Sequence, residues 1–117
     1  METKSYKDLI VWQKAKKLVI EIYSCTSQFP ASEKFGITSQ LQRAAFSIPL
    51  NIAEGYRRGG SKERRYFFAV AFGSGAELEA AIDICKELPT FRGISFSKAE
   101  ILLDEVMRML NTFVRNS

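Results

Sequence analysis

TSQLQRAAFSIPLNIAEGYRRGGSKERRYFF, residues 38–68, is the stretch that decides the fold of this chain. It contains a long helical pattern with an internal proline, then a pair of glycines, and then the start of a second long helical pattern. On both sides of the glycine pair, apolar residues recur at three- and four-residue steps, which is the period of an amphipathic helix. The stretch therefore predicts two long helices joined by a tight turn.

The first of these, helix two of the chain, has three sectors. It is expected to begin at Thr38, a good N-cap residue, and to end near Arg58. At about 100° per residue, one apolar face collects Leu41, Ala44, Ala45, Ile48 and Ile52. The opposite polar stripe is narrow and contains Gln40, Arg43, Ser47, Asn51, Glu54 and Arg58. The third sector is apolar again and contains Phe46, Leu50 and Ala53.

A surface helix of a single bundle has one broad apolar face and one broad polar face. Helix two, with apolar residues on both flanks of its polar stripe, is therefore predicted to pack on more than its own bundle. The alternative is that a loop covers Phe46 and Leu50.

Pro49 removes a backbone hydrogen bond to Ala45, but the apolar period continues through it, which predicts a helix kinked at Pro49. Gly59 and Gly60 end that helix.

Three further helices flank helix two. Helix one covers residues 6–27 and ends before Pro30, because the residue before a proline avoids the helical region. Helix three runs from Ser61 to about Leu88, and helix four runs from a capping box at Ser97 to about Arg115. Four amphipathic helices with short loops predict an all-α fold, an antiparallel up-down four-helix bundle. The 117 residues suffice for a single domain, residues 1–117.

Helix three has apolar residues on more than one side. Its predicted core face contains Phe67, Val70, Ala71, Ser74, Leu78, Ala81, Ile82 and Cys85. Phe68 and Phe72 are expected on the other side with Gly75 and Ala76, where small residues allow another helix to approach. The glycine-rich GSGAE segment lies inside this helical pattern, so it favours packing over a phosphate-binding loop, which would follow a strand.

Composition argues against an enzyme. The chain has no histidine, the commonest general base and metal ligand, and only two cysteines, Cys25 and Cys85. Both cysteines fall on apolar helix sides, which predicts buried, reduced thiols rather than a disulfide. We expect no metal and no cofactor.

The chain has no long apolar run, and its start is charged, so the sequence predicts a cytoplasmic protein that does not enter a membrane.

The positive charge is concentrated in residues 54–66, which we call the basic turn. Five basic and two acidic side chains give this segment +3 of the formal net charge of +4. The residues predicted to contact nucleic acid are Tyr56, Arg57, Arg58, Lys62, Arg64, Arg65 and Tyr66. In one interpretation the cations bind phosphates and the two tyrosines stack on unpaired bases. In the other, the arginines pair with the acidic half of a neighbouring helix, in the same subunit or another.

The charges of helix three oppose its dipole. Basic residues occupy its first turn, and its last turns contain Glu77, Glu79, Asp83 and Glu87, whereas a helix favours the reverse. Such departures from local consistency are expected at functional sites.

The polar stripe of helix two could be either a functional site or a contact between subunits. Ser47 has no evident base partner for catalysis, so a hydrogen-bonding seam between subunits is favoured. The predicted subunit interface comprises Arg43, Phe46, Leu50, Asn51, Glu54, Phe68 and Phe72.

At TSQLQRAAFSIPLNIAEGYRR the sequence resembles the four-helix-bundle proteins encoded in intervening sequences of bacterial 23S rRNA genes. The likeness extends to YKDLIVWQKAKKLVIEIY, FPASEKFGITSQL and FAVAFGSGAELEAA, and the SIPxNIAEG element is its specific part. The resemblance implies a ring-like homopentamer. The family is similar to the accessory variability proteins of diversity-generating retroelements, which form a basic pentameric barrel that binds nucleic acid and a reverse transcriptase.

Together these features predict a non-enzymatic homo-oligomer, pentameric by resemblance, that binds RNA or DNA with little sequence specificity. The alternative is a structural interaction module that presents its apolar residues or the polar stripe to a protein partner.

Overall fold

A computed structural model of the protein describes residues 5–115. Within that range four α-helices form and no β-strand does, which confirms the all-α class. The helices are α1 (Ile10–Thr26), α2 (Ile37–Arg58), α3 (Ser61–Glu87) and α4 (Ser97–Arg115). Short 3-10 helices at Tyr6–Asp8, Ala31–Glu33 and Pro89–Phe91 lie in the connections.

The helices surround one elongated core. α1 packs against α2 and α4, and α3 packs against the same two helices. The body measures 46 × 23 × 22 Å, so its length approximates that of its longest helix, α3, with 27 residues at about 1.5 Å each. The predicted apolar face of α2 is confirmed, since all of its members are buried: Leu41, Ala44, Ala45, Ile48 and Ile52.

The predicted core face of α3 is partly wrong. Phe68, expected at a subunit interface, is only 1% exposed and lies in the core, whereas Val70, expected in the core, is 37% exposed. Gly75 is also buried, and Phe72 is half-buried against the core. Because α3 has apolar residues on both sides, its period alone did not decide which side turns inward. The packing of α2 and α4 on α3 decides it.

Both ends of α2 lie next to a glycine, Gly36 at its start and Gly59 at its end. α2 begins at Ile37 with Gly36 as its N-cap, so Thr38 lies inside the helix and does not cap it. α2 continues through the buried Pro49 to Arg58. At its end Gly59 adopts a φ of 80°, the left-handed conformation that glycine takes without strain. The predicted break at the glycine pair is confirmed.

Two glycines let helices approach closely. A Cβ at Gly55 of α2 would lie 3.0 Å from the Cβ of Phe67, 3.1 Å from the ring of Phe68 and 3.2 Å from the carbonyl oxygen of Arg64. A Cβ at Gly75 of α3 would collide with the Met107 side chain of α4. Gly55 therefore fixes the distance between α2 and α3 just before the basic turn.

Candidate nucleic-acid interface

The basic turn joins the end of α2 to the start of α3. Gly59 reverses the chain, and Gly60 is the N-cap of α3 with no side-chain hydrogen bond to the first turn. The first helical hydrogen bond runs from the Arg64 N–H to the Gly60 carbonyl oxygen at 2.9 Å. The N–H groups that precede it receive no side-chain cap, and helix N-termini of this kind attract anions.

Arg58 lies within ion-pair distance of both carboxylates of the basic turn, Glu54 and Glu63. Its Nε donates to Glu54 Oε2, one helical turn away, at 2.8 Å, and Glu63 Oε2 lies 3.8 Å from its Nη1. Its guanidinium also lies over the ring of Phe67 at 5.3 Å. These side chains are about half exposed, so each pair contributes little to stability. Their main consequence is that both carboxylates of the basic turn lie next to Arg58.

Three cations of the basic turn have no ion pair with any carboxylate in residues 5–115: Arg57, Lys62 and Arg64. Arg57 lies over the ring of Tyr6 at 5.4 Å, and Lys62 is exposed. Glu63 of α3 lies next to Arg58, and the next acidic residue of the helix is Glu77, about 22 Å along the helix from Lys62. For these three cations, the described part of the subunit therefore does not contain the acidic partner that one interpretation required.

Arg64 is folded back against α2. Its Nη2 donates to the Tyr56 carbonyl oxygen at 3.4 Å, and its guanidinium covers the Tyr56 ring at 4.9 Å. Its Nε is buried and has no hydrogen-bond partner among the described residues. A buried unsatisfied donor costs about 1–3 kcal/mol. Arg64 thus links α2 to α3, and it occupies one face of a ring that was predicted to stack on bases.

Tyr66 and Arg65 remain on the outside of the turn. Tyr66 is 63% exposed and contacts Phe67 edge-on, with ring centroids 5.1 Å apart. Both tyrosines were predicted to stack on unpaired bases, and in the structure Tyr66 is exposed whereas Tyr56 is half-buried. The side chain of Arg65 is exposed next to it.

A cleft of about 240 Å³ adjoins the basic turn, and we call it the turn cleft. Its lining residues are Gly59, Ser61, Arg64, Arg65, Phe68 and Phe113. The rings of Phe68 and Phe113 meet edge to face, with centroids 4.9 Å apart and planes at 86°. Sequence reasoning missed this cleft, because Phe113 is distant in the chain and belongs to the apolar pattern of α4. Only the packing of α4 on α3 brings it to the turn.

The polar stripe of α2 lines a separate open groove of about 740 Å³, which also includes Arg43, Ser74 and Glu77. The hydroxyl groups of Ser47 and Ser74 in this groove are paired with each other. Ser47 Oγ and Ser74 Oγ lie 2.8 Å apart, and Asn51 Nδ2 donates to the carbonyl oxygen of Ser47 at 2.8 Å and to its Oγ at 3.0 Å. None of these partners is a base that could activate Ser47.

The second apolar sector of α2 is open to solvent. Leu50 is 60% exposed and Phe46 is 44% exposed, so the alternative that a loop covers them is wrong. Phe46 meets Tyr23 of α1 edge-on at 6.1 Å, and Tyr23 is itself 43% exposed. These three residues form an apolar strip across α1 and α2, which we call the α2 strip.

The two thiols lie in the core, away from the basic turn. Cys25 and Cys85 are buried and unbridged, as predicted, and burial raises the pKa of both thiols. Residues 5–115 contain no group of three or more side chains suited to hold a metal ion. No helix in that range is both long enough and apolar enough to span a membrane.

These features define a small all-helical protein with a basic turn at one helix junction and an exposed apolar strip. The sequence model of the 23S rRNA-intervening sequence protein family matches residues 7–112, and the chain belongs to that family. The resemblance inferred from the SIPxNIAEG element is thereby confirmed. A search of curated proteins found no match to the chain.

Proposed function

We propose that this protein is a non-enzymatic, cytoplasmic homo-oligomer that binds RNA or DNA through the basic turn with little sequence specificity. The observation that carries the proposal is the set of cations without a carboxylate partner in residues 5–115, namely Arg57, Lys62 and Arg64. They lie beside the uncapped N-terminus of α3. Phosphate oxygens would supply the negative charge that the described residues do not.

The chemistry of the turn favours backbone contacts over base recognition. Arginine and lysine bind phosphates regardless of sequence, and each phosphate neutralised releases counterions, which makes binding weaken as salt rises. No strand or helix of the described range presents a row of amide side chains at this turn that would pair with base edges. Binding is therefore expected to depend on salt more than on sequence.

The proposed architecture is an antiparallel up-down four-helix bundle with α2 bent at Pro49. The two-residue connection Gly59–Gly60 supports this arrangement, because so short a link between two packed helices requires the chain to reverse. The family resemblance implies a homopentamer. A ring would bring several basic turns to one nucleic acid, and linked weak contacts add up to a strong one.

The charge proposal is tested with a double reversal, Arg57→Glu together with Lys62→Glu. Both side chains lack carboxylate partners in the described range, so their loss should weaken binding without breaking an internal ion pair. We expect an affinity loss of at least about tenfold for labelled single-stranded DNA and structured RNA, and a shallower dependence of log K on log salt. Fluorescence anisotropy at low and moderate salt gives both quantities.

The matched control is Lys17→Glu together with Lys98→Glu. These lysines are also exposed and have no ion pair in residues 5–115, and the control changes the net charge by the same amount. It should bind nearly as tightly as the parent. Equal losses in the two double variants would mean that net charge, not the basic turn, attracts the nucleic acid. No binding by the intact oligomer at low salt would overturn the proposal.

The second candidate function is a protein-interaction module, and the α2 strip is the observation that favours it. If the oligomer keeps Tyr23, Phe46 and Leu50 exposed, the strip is available to a protein partner. Solvent protection of the strip in the assembled protein separates the cases. Hydroxyl-radical labelling of the three side chains measures this: weak labelling in the oligomer assigns the strip to subunit contact, and strong labelling favours the interaction module.

A further inference from the structure

The turn cleft has the size and the chemistry of a site for one unpaired nucleotide. We propose that it takes a single base from a single-stranded stretch of RNA or DNA, while the adjoining phosphate lies at the start of α3. The inference rests on the proposed function, because it assumes that nucleic acid reaches the basic turn. It goes beyond that function by naming the form of nucleic acid and the residues that distinguish it.

The volume limits the occupant. Sites for drug-sized ligands measure roughly 300–1,000 Å³, and the turn cleft is smaller, at about 240 Å³. A single planar base is a suitable occupant, whereas a base pair is too large. A base inside a duplex is stacked and paired, so it reaches a cleft of this kind only after extrusion. The geometry therefore selects unpaired nucleotides.

Phe113 supplies a stacking surface. Its side chain is 40% exposed at the cleft, and Phe68, which is buried in the core, supports it edge to face. The buried ring fixes the exposed one, so that little side-chain freedom is lost when a base stacks on it. Base stacking on aromatic rings is the usual way in which proteins hold single strands without reading their sequence.

The rim of the turn cleft carries the charge that a nucleotide requires. Arg64 and Arg65 line it together with Ser61, whose backbone lies in the uncapped first turn of α3. Arg64 has no carboxylate partner in residues 5–115, and its guanidinium is held over the Tyr56 ring at the edge of the cleft. A phosphate at this rim would place an anion next to the Arg64 guanidinium and at the positive end of the helix dipole.

Gly59 keeps the entrance open. Its φ of 80° excludes most side chains, and a Cβ built there would meet no atom within 4 Å. The cleft therefore has free space next to Gly59, which is one of its lining residues. Cationic side chains, an aromatic ring and an open approach therefore lie at one place. The cations suit the phosphate of a nucleotide, and the ring suits its base.

The test compares labelled oligo(dT) with an abasic oligonucleotide of the same length and backbone, using the full chain in its native oligomeric state. Both probes offer the same phosphates, and only the first offers bases. We expect the parent protein to bind oligo(dT) roughly 5- to 150-fold more tightly than the abasic probe. Phe113→Leu should reduce that ratio at least fivefold, while the affinity for the abasic probe changes little.

Two further variants locate the effect. Phe35→Leu removes a phenylalanine that is 90% exposed and lies away from the turn cleft, and it should leave the ratio unchanged. Ser61→Leu places a larger side chain at the cleft entrance without altering the aromatic wall, and it should lower the ratio as Phe113→Leu does. Because Ser61 is exposed, this variant keeps the test valid if Phe113→Leu fails to fold.

The outcomes separate this inference from the proposed function. Equal binding of the two probes would overturn the base cleft and leave the phosphate-binding basic turn intact. Binding of neither probe would overturn both. A ratio that persists in Phe113→Leu and Ser61→Leu would place base stacking elsewhere, for example on Tyr66. A drop in oligomer mass with an unchanged ratio would assign the turn cleft to subunit contact and overturn the proposal.

Discussion

Gly55 shows how a single residue positions the proposed site. It lies three residues before the end of α2, and a Cβ there would meet Phe67, Phe68 and the backbone of Arg64 more tightly than Cβ atoms normally pack. The Glu-Gly pair of the SIPxNIAEG element thus has two separate physical roles. Glu54 pairs with Arg58 on the surface, and Gly55 lets α3 approach so that Phe68 enters the core.

Replacing Gly55 with alanine should lower the free energy of unfolding by about 1 kcal/mol. Overpacking costs about 1–3 kcal/mol, which exceeds the gain of about 1 kcal/mol in helix propensity. The matched control is Gly73→Ala in α3, where a Cβ would meet no atom within 4 Å. That variant should raise stability by about 0.5–1 kcal/mol. Urea denaturation measures both, and a stabilised Gly55→Ala would show that the helices separate at little cost.

At the scale of the helix, α2 differs from an ordinary amphipathic element. Its core face is buried as predicted, and its polar stripe is largely occupied by hydrogen bonds from Asn51 and Ser47 within the chain. Leu50 and Phe46 of α2 remain exposed to solvent, at 60% and 44%. A hydrogen-bonding seam between subunits would have to rely on Arg43 and on the free acceptor of Asn51. The α2 strip would therefore supply the apolar part of the proposed interface.

Introducing a charge into the α2 strip should break the oligomer. Leu50→Glu or Phe46→Glu would place a carboxylate in the proposed apolar contact, where desolvation of an unpaired charge is costly. We expect smaller species in sedimentation velocity with helical content unchanged. Ile101→Glu is the matched control, because Ile101 of α4 is 63% exposed and Leu50 is 60% exposed. A Leu50→Glu protein that keeps the full mass would contradict the assignment.

For the whole molecule, charge and assembly are expected to act together. One subunit presents a segment of +3 charge, which would contact only a few phosphates. Non-specific binding through so few contacts is weak at physiological salt. A ring of subunits would place several such turns on one strand, so that the second and later contacts form within the same complex.

Leu50→Glu should therefore weaken nucleic-acid binding although Leu50 lies outside the basic turn. We expect an affinity loss of about tenfold or more. The slope of log K against log salt should also become shallower, because a separated subunit contacts fewer phosphates at once. Anisotropy titrations of a long and a short oligonucleotide measure this, and the loss should be larger for the long one. Subunits that separate yet bind the long strand as tightly as the parent would exclude avidity.

The sequence by itself determined the four helices, the break at Gly59 and Gly60, the core face of α2 and the membership of the family, because helical period and glycine punctuation are local properties of the chain. It also located the basic turn by charge alone. Tertiary structure decided which side of α3 faces the core, since both sides are apolar and the packing of α2 and α4 on α3 distinguishes the buried Phe68 from the more exposed Val70. Tertiary structure likewise placed Arg64 over Tyr56 and brought Phe113 to Ser61, because those contacts join residues whose separation along the chain gives no periodic signal.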